Sequence, residues 1–314
     1  MPYVGTKEIL DKANREGYGV AAFNINNLEF LQAIVEAGVE ERSPIIIETS
    51  EGALEYAGRG DPLRGAFIFY HMVKTYADSV DIPISLHLDH GKRFDRIMAA
   101  IRAGYTSVMI DASHMPFEEN MAETKKIVEI AHAVGISVEA ELGRLVGIED
   151  NVKVSEREAV LVNPEEAEVF VEKTKVDFLA PAIGTSHGAF KFKGEPKLDF
   201  ERLKEVKKRT GIPLVLHGAS SVPQELIELA NSYGAEIEGA KGIPTDMLKE
   251  SVKYGINKVN TDTDLRMAFM SHLRKTLSEK KKEFDPRKLL KPSIEAIKEV
   301  VKERMRILGS AGKA

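Results

Sequence analysis

The chain is predicted to be an α/β protein, a (β/α)8 TIM barrel forming a single domain over residues 1–314, with a C-terminal helical extension at about 264–308. Three observations predict it. Short apolar, β-branched runs alternate with longer amphipathic segments, the pattern of βαβ units and a parallel sheet. Eight such runs can be found, and nearly every one ends in or runs on to polar or ionisable residues. The 314 residues suit one α/β barrel.

The strand candidates are Gly19 to Asn24, Pro44 to Glu48, Ile84 to Leu88, Ser107 to Asp111, Ser137 to Glu141, Asp177 to Ala182, Pro213 to Leu216 and Gly255 to Asn260. Ile45-Ile46-Ile47 reads as a parallel strand buried on both faces. Between the strands, Leu28 to Glu41 carries apolar residues at helical spacing (Leu28, Leu31, Ile34, Val35), as does Glu119 to Val134 (Ile127, Ile130, Ala131). Asn163-Pro164-Glu165-Glu166 reads as an N-cap, a first-turn proline and first-turn acids, and Gly104, Gly135 and Gly211 stand where helices end. A helix around Phe67 to Tyr76 is expected in the first long gap. Leu142 to Leu161, polar and punctuated by glycine, reads as a mobile loop, and Ala219 to Tyr254 should hold helices. Two more helices, Asp264 to Lys280 and Asp285 to Arg306, follow the eighth strand, and the tail from Gly309 to Ala314 is expected to fray.

Composition narrows the function. No cysteine is present, so disulfides and thiolate metal sites are excluded, and a metal must use His, Asp, Glu or water. A net charge of −5 gives no support for nucleic-acid binding. No apolar run approaches the ~18 residues of a membrane span, and no signal peptide is apparent, so a cytoplasmic protein with no membrane partner is expected.

In a barrel of this type the strand ends converge on one face. Here they bring Asn24, Glu48-Thr49-Ser50, His87-Leu88-Asp89-His90, Asp111, Glu139 and Glu141, His187, His217, and Asn260 with Asp262. Carboxylates and imidazoles buried together must be paired or bind metal. Of eight histidines, His71, His132 and His272 lie on amphipathic helices and read as surface or satisfied residues. His90, His187 and His217 each follow a different strand, which is the ligand set of a catalytic zinc site with an open position. Two glycine-rich turns, Gly184-Thr185-Ser186-His187-Gly188 and His217-Gly218-Ala219-Ser220-Ser221, offer backbone N–H groups beside that metal. With Asn260-Thr261-Asp262-Thr263 before a helix, they suggest a phosphorylated substrate. Gly234 to Lys241 lacks the Gly-Lys-Ser/Thr ending of a phosphate loop, and no G-x-G-x-x-G occurs.

Five motifs in order now carry a resemblance: Leu86-His87-Leu88-Asp89-His90-Gly91, Val138-Glu139-Ala140-Glu141-Leu142-Gly143, Gly184-Thr185-Ser186-His187-Gly188, Leu216-His217-Gly218-Ala219-Ser220 and Val259-Asn260-Thr261-Asp262-Thr263-Asp264. From about Thr6 to about Leu308 the chain resembles the class II, zinc-dependent fructose-1,6-bisphosphate aldolases, in the branch that includes the tagatose-bisphosphate aldolases. The resemblance implies that His90, His187 and His217 bind the catalytic Zn2+, with Asp111 and Glu141 at a second metal position. Asp89 would be the acid/base on the carbon 4 hydroxyl, and Glu149, in a glycine-flanked loop, the acid that exchanges a proton on dihydroxyacetone phosphate. Gly188, Gly218, Ala219, Ser220, Asn260, Thr261, Asp262 and Thr263 would hold the dihydroxyacetone phosphate portion, with Asn24 and Ser50 near the substrate. A monovalent cation, Na+ or K+, near the phosphate and a homodimer or homotetramer are implied too.

The implied reaction is reversible cleavage of fructose-1,6-bisphosphate to dihydroxyacetone phosphate and glyceraldehyde 3-phosphate, as in glycolysis and gluconeogenesis, zinc stabilising the enediolate. Tagatose-1,6-bisphosphate, differing at carbon 4, remains an alternative substrate. A metal-dependent barrel hydrolase would usually carry a His-x-His pair on an early strand, which is absent; a non-catalytic binding barrel is the third reading. A Schiff-base aldolase would need a lysine at the mouth. Lys258, the one strand-associated candidate, reads as a strand residue at the barrel's edge with nothing nearby to desolvate it.

Overall fold

The computed structural model describes residues 2–143, 146–149, 152–154, 160–187 and 198–314, with the backbone alone described for 146–149, 152–154 and 186–187. The strands among them are β1 (Val20–Asn24), β2 (Ile45–Ser50), β3 (Ile84–Gly91), β4 (Ser107–Ile110), β5 (Ser137–Leu142), β6 (Val146–Glu149), β7 (Val152–Val154), β8 (Phe178–Pro181), β9 (Ser186–His187), β10 (Leu214–Leu216) and β11 (Ile256–Thr261). Eight of them close into a barrel in the order β1-β11-β10-β8-β5-β4-β3-β2, every pair parallel. Each lies on one of the eight apolar runs of the sequence.

Side chains alternate along each strand, and the two faces bury into two different cores. Ala21, Phe23, Ile45 and Ile47 face the surrounding helices, whereas Val20, Ala22, Ile46, Phe178, Ala180 and Val215 fill the barrel interior. The same alternation turns Glu48, two residues beyond Ile46, inward. His87 is its register partner on β3, Glu139 pairs with inward Phe178, and Lys258 pairs with inward Val20 and Val215. All four are completely buried, so the upper barrel is charged where the lower barrel is apolar.

The helices follow their capping residues. Leu28–Glu41 begins where the Asn27 side chain accepts from the Phe30 N–H, and Pro164–Thr174 where Asn163 accepts from Glu165 and Glu166. Gly104 and Gly211 end their helices in the left-handed conformation, at φ 104° and 67°. The first long gap holds two helices, Glu51–Gly58 and Pro62–Ala77, and the third holds Gln224–Ser232 and Thr245–Lys253. Thr263–Glu279 and Pro286–Leu308 complete the fold. An additional helix, Thr6–Glu16, precedes the barrel; its Ile9, Leu10 and Ala13 plug the N-terminal end against Val20 and Phe178.

Two expectations are corrected. Leu142 to Leu161 is not simply a loop: β6 and β7 pair antiparallel, because β-branched residues alternate at Val146, Ile148, Val152 and Val154. The strand read over Asp177 to Ala182 is β8, and His187 stands beyond it on β9, which pairs with β6. The tail does not fray. Gly312 N–H donates to the Glu41 carbonyl at 2.8 Å and Ala314 N–H to that of Arg42 at 2.9 Å, and buried Ser310 accepts from Ser43 at 2.9 Å. Deleting residues 310–314 should therefore cost about 1–3 kcal/mol, at roughly 1 kcal/mol per lost hydrogen bond. Calorimetry is expected to record a midpoint lower by several degrees; an unchanged midpoint would show the tail to be passive.

Candidate metal centre

The mouth of the barrel is built on the same period of two. Asp89 follows His87, Glu141 follows Glu139, and Asn260 follows Lys258, each one step nearer the C-terminal end. A regular strand would then point His90 away from Asp89. Instead β3 bulges against β4 between Leu88 and Gly91, and His90 adopts φ 46°. Such a backbone costs a non-glycine residue ~1–3 kcal/mol. It turns both side chains into the mouth, where His90 Nε2 lies 3.9 Å from Asp89 Oδ1.

The imidazoles of His90 and His217 meet edge to face, 4.5 Å between centroids. Each is oriented by carboxylates. His90 Nδ1 is 3.0 Å from Asp111 Oδ2; His217 Nδ1 is 3.0 Å from Glu141 Oε2, and its Nε2 is 2.7 Å from Glu139 Oε1. Burial and the neighbouring His90 oppose charge on His217, but Glu139 and Glu141 push the metal-free imidazole up to about 9. Burial would raise Asp111, yet His90, Lys92 and Ser113 hold it well below the usual carboxylate range.

Donor atoms of Asp89, His90 and His217 lie within 4.8 Å of one another, and so do those of His90, Asp111 and Glu141. All five residues are buried. Nitrogen and oxygen donors, converging without a thiolate, fit zinc. Of the third predicted histidine, His187, the backbone alone is described, on β9 beside Gly147 of β6; the same holds for Glu149. Gly188 lies outside the described residues.

Asp89 is gripped from both sides: Asn24 Nδ2 donates to Oδ2 at 2.9 Å and Asn260 Nδ2 to Oδ1 at 3.0 Å. Both asparagines, expected at the substrate, thus also orient a carboxylate. Ser50 caps the helix Glu51–Gly58, accepting from the Ala53 N–H. Ala219, Ser220 and Thr261 are buried, Gly218 has φ 60°, and Thr263 opens the helix Thr263–Glu279 without a side-chain cap, as Asp262 accepts from Arg266 instead. Asp264 ties this end to the preceding loop: it accepts from the N–H groups of Ser221 and Val222 and pairs with buried Arg304.

Lys258 corrects another expectation. It is not at an edge but completely buried, 2.6 Å from Glu48 Oε1 and 2.8 Å from Glu139 Oε2. Burial disfavours its charge, but Glu139, Glu48 and Asp89 outweigh burial and hold the ammonium above the usual lysine range. A lysine so charged and enclosed is no Schiff-base nucleophile. Burial pushes Glu48 up to about 8, while Lys258 and His217 overcome burial to keep Glu139 ionised. Desolvation and Lys258 take His87 down to about 3, so it is neutral. The sequence places Glu48, His87 and Glu139 at strand ends, two residues before or beside the mouth residues, but does not show that Glu48 and Glu139 close on Lys258.

A closed parallel barrel whose mouth gathers imidazoles and carboxylates at ligating distance defines a metal-dependent barrel enzyme. Comparison with known proteins sharpens the class. The profile of the family "Fructose-bisphosphate aldolase class-II" matches residues 4–313. The chain is 60% identical to a fructose-bisphosphate aldolase of Helicobacter pylori (strain ATCC 700392 / 26695) over 98% of both chains. It is 54% identical to one of Thermus caldophilus, again over 98% of each. Among solved structures, the YdjI aldolase of Escherichia coli K12 superposes with a TM-score of 0.78 at 31% identity, covering 99% of both chains. The chain belongs to the class II fructose-bisphosphate aldolase family and is a metal-dependent lyase of that class. Among the described residues, no helix is long and apolar enough to cross a membrane.

Proposed function

We propose that this enzyme reversibly cleaves fructose-1,6-bisphosphate between carbons 3 and 4, in the cytoplasm, with Asp89 as the base. One observation carries this reading: a buried carboxylate, held by two amides, stands 3.9 Å from an imidazole at ligating distance of a second one. His90, His187 and His217 would hold the zinc, with Asp111 and Glu141 at a second position. Zinc bound there supplies Lewis-acid stabilisation of the negative charge that develops as the bond breaks.

Asp89 takes the proton of the carbon 4 hydroxyl; its two amide donors keep an oxygen aimed at that proton. Such a base typically contributes ~10²–10⁴-fold. The backbone of Gly188 and of Gly218 to Ser220, with Asn260 to Thr263, receives the dihydroxyacetone phosphate portion. The positive end of the helix Thr263–Glu279 favours the phosphate there. Glu149 returns a proton to carbon 3 from its glycine-flanked segment. The family resemblance also supports a monovalent cation, Na+ or K+, by the phosphate, and a homodimer or homotetramer.

Fructose is preferred over tagatose because the relatives named above are fructose-bisphosphate aldolases. The test is cleavage of both bisphosphates, before and after chelation. Triose release should favour fructose, fall at least ~10²-fold on zinc removal, and return with added zinc. A preference for tagatose would overturn the substrate. Activity surviving zinc removal, with a borohydride-trapped lysine adduct, would overturn the mechanism.

A further inference from the structure

The barrel interior below the mouth holds a cation of its own. Among the described residues Lys258 is the one lysine that is completely buried. Glu48, His87 and Asp89 present donor atoms within 4.8 Å of one another, as a metal site would, yet the Lys258 ammonium already stands 2.6 Å from Glu48. The other two contacts of Nζ lead upward along two separate routes. One is the ion pair to Glu139 Oε2 at 2.8 Å, whose other oxygen Oε1 accepts from His217 Nε2 at 2.7 Å. The other is a hydrogen bond donated to Asn260 Oδ1 at 2.9 Å, and the same amide donates from Nδ2 to Asp89 Oδ1 at 3.0 Å.

We propose that Lys258 is a positioning residue that sets the metal ligand His217 and the base Asp89 in register with each other. This inference rests on the roles proposed above. An asparagine amide has one acceptor end and one donor end, and it is held firmly only when both ends are met. With Lys258 on Oδ1, Asn260 must offer N–H to Asp89. Without it Oδ1 loses the donor that meets it, and the amide is held by Asp89 from one side only. On the other route, Glu139 keeps Oε1 under His217 because Oε2 is held by the ammonium. The N–H at Nε2 is thereby committed to Glu139, which leaves Nδ1 on the side of Glu141 and the mouth. Outer hydrogen-bond partners of a metal-ligating histidine act in this way.

The test uses the zinc-loaded full chain and three variants. Lys258→Met removes the cation at similar volume. Lys258→Met/Glu139→Gln also removes the buried carboxylate charge, while the amide oxygen that replaces it can still accept from His217. Asn260→Ala cuts only the route to Asp89. Readouts are zinc affinity by chelator competition, the visible spectrum of the cobalt-substituted protein, and kcat and KM separately. Lys258→Met should weaken zinc about 10–100-fold, the range for loss of such partners, shift the cobalt bands and lower kcat. The double variant should recover zinc affinity and the cobalt spectrum but keep the low kcat. Asn260→Ala should lower kcat with zinc affinity intact. If Lys258→Met does not fold, the double variant decides; if neither folds, Asn260→Ala decides. A folded Lys258 variant with zinc affinity, spectrum and kcat within about twofold of wild type would overturn the inference, since mere filling of the barrel moves stability alone. So would an Asn260→Ala enzyme with unchanged kcat. A wild-type enzyme active without zinc would instead overturn the functional reading on which the inference stands.

Discussion

Replacing Asp89 by alanine is expected to lower kcat by at least ~10²-fold while zinc remains bound. Asp89 is a buried acid beside His90 that accepts from two amides, whereas Asp111, Glu139 and Glu141 each meet an imidazole nitrogen. Its loss removes the acceptor for the substrate proton and leaves the Asn24 and Asn260 amides without their partner, so stability should also fall, by about 1–3 kcal/mol. Asp89→Asn separates the two effects. It restores bulk, but its single carbonyl oxygen serves one of the two amide donors and its own NH₂ confronts the other. Both variants should retain zinc by elemental analysis and cleave fructose-1,6-bisphosphate only residually. Either one cleaving at the wild-type rate would refute the role of Asp89.

The second large effect is expected at His217. His217→Ala should strip the protein of most of its zinc on gel filtration and abolish cleavage. The loss in affinity should exceed the ~10–100-fold typical of an outer partner, because a ligand itself is gone. The substitution also takes from buried Glu139 Oε1 and Glu141 Oε2 the imidazole that each meets, so a lower thermal midpoint is expected. Zinc content equal to wild type in His217→Ala would remove His217 from the metal site. At His90 the better probe is asparagine, since the site demands φ 46° and asparagine tolerates that conformation better than alanine.

Much of the molecule was legible in one dimension. Apolar runs such as Ile45-Ile46-Ile47 mark strands because burial on both faces leaves no polar position, and the two cores divide those three residues as expected. Caps such as Asn163 mark helix starts because a side chain must satisfy the exposed N–H groups. What misled was local polarity. The segment after Leu142 reads as loop by its glycines, yet β-branched alternation builds β6 and β7. The tail reads as frayed by its small residues, yet its backbone is anchored to Glu41 and Arg42, a contact between distant parts of the chain.

The site divides in the same way. By itself the sequence determined which chemistry is available: no thiols, and histidines and carboxylates at or just beyond the ends of most of the eight strands, a pattern that the barrel topology brings to one mouth. It did not determine direction or partnership. That Asp89 and His90, adjacent in sequence, both face the mouth depends on a bulge and a left-handed backbone, which alternation would forbid. That Lys258 is an enclosed cation and not an edge residue depends on Glu48 and Glu139 arriving from two other strands. A side chain's charge state follows from the groups that surround it, and those are settled only when the barrel closes.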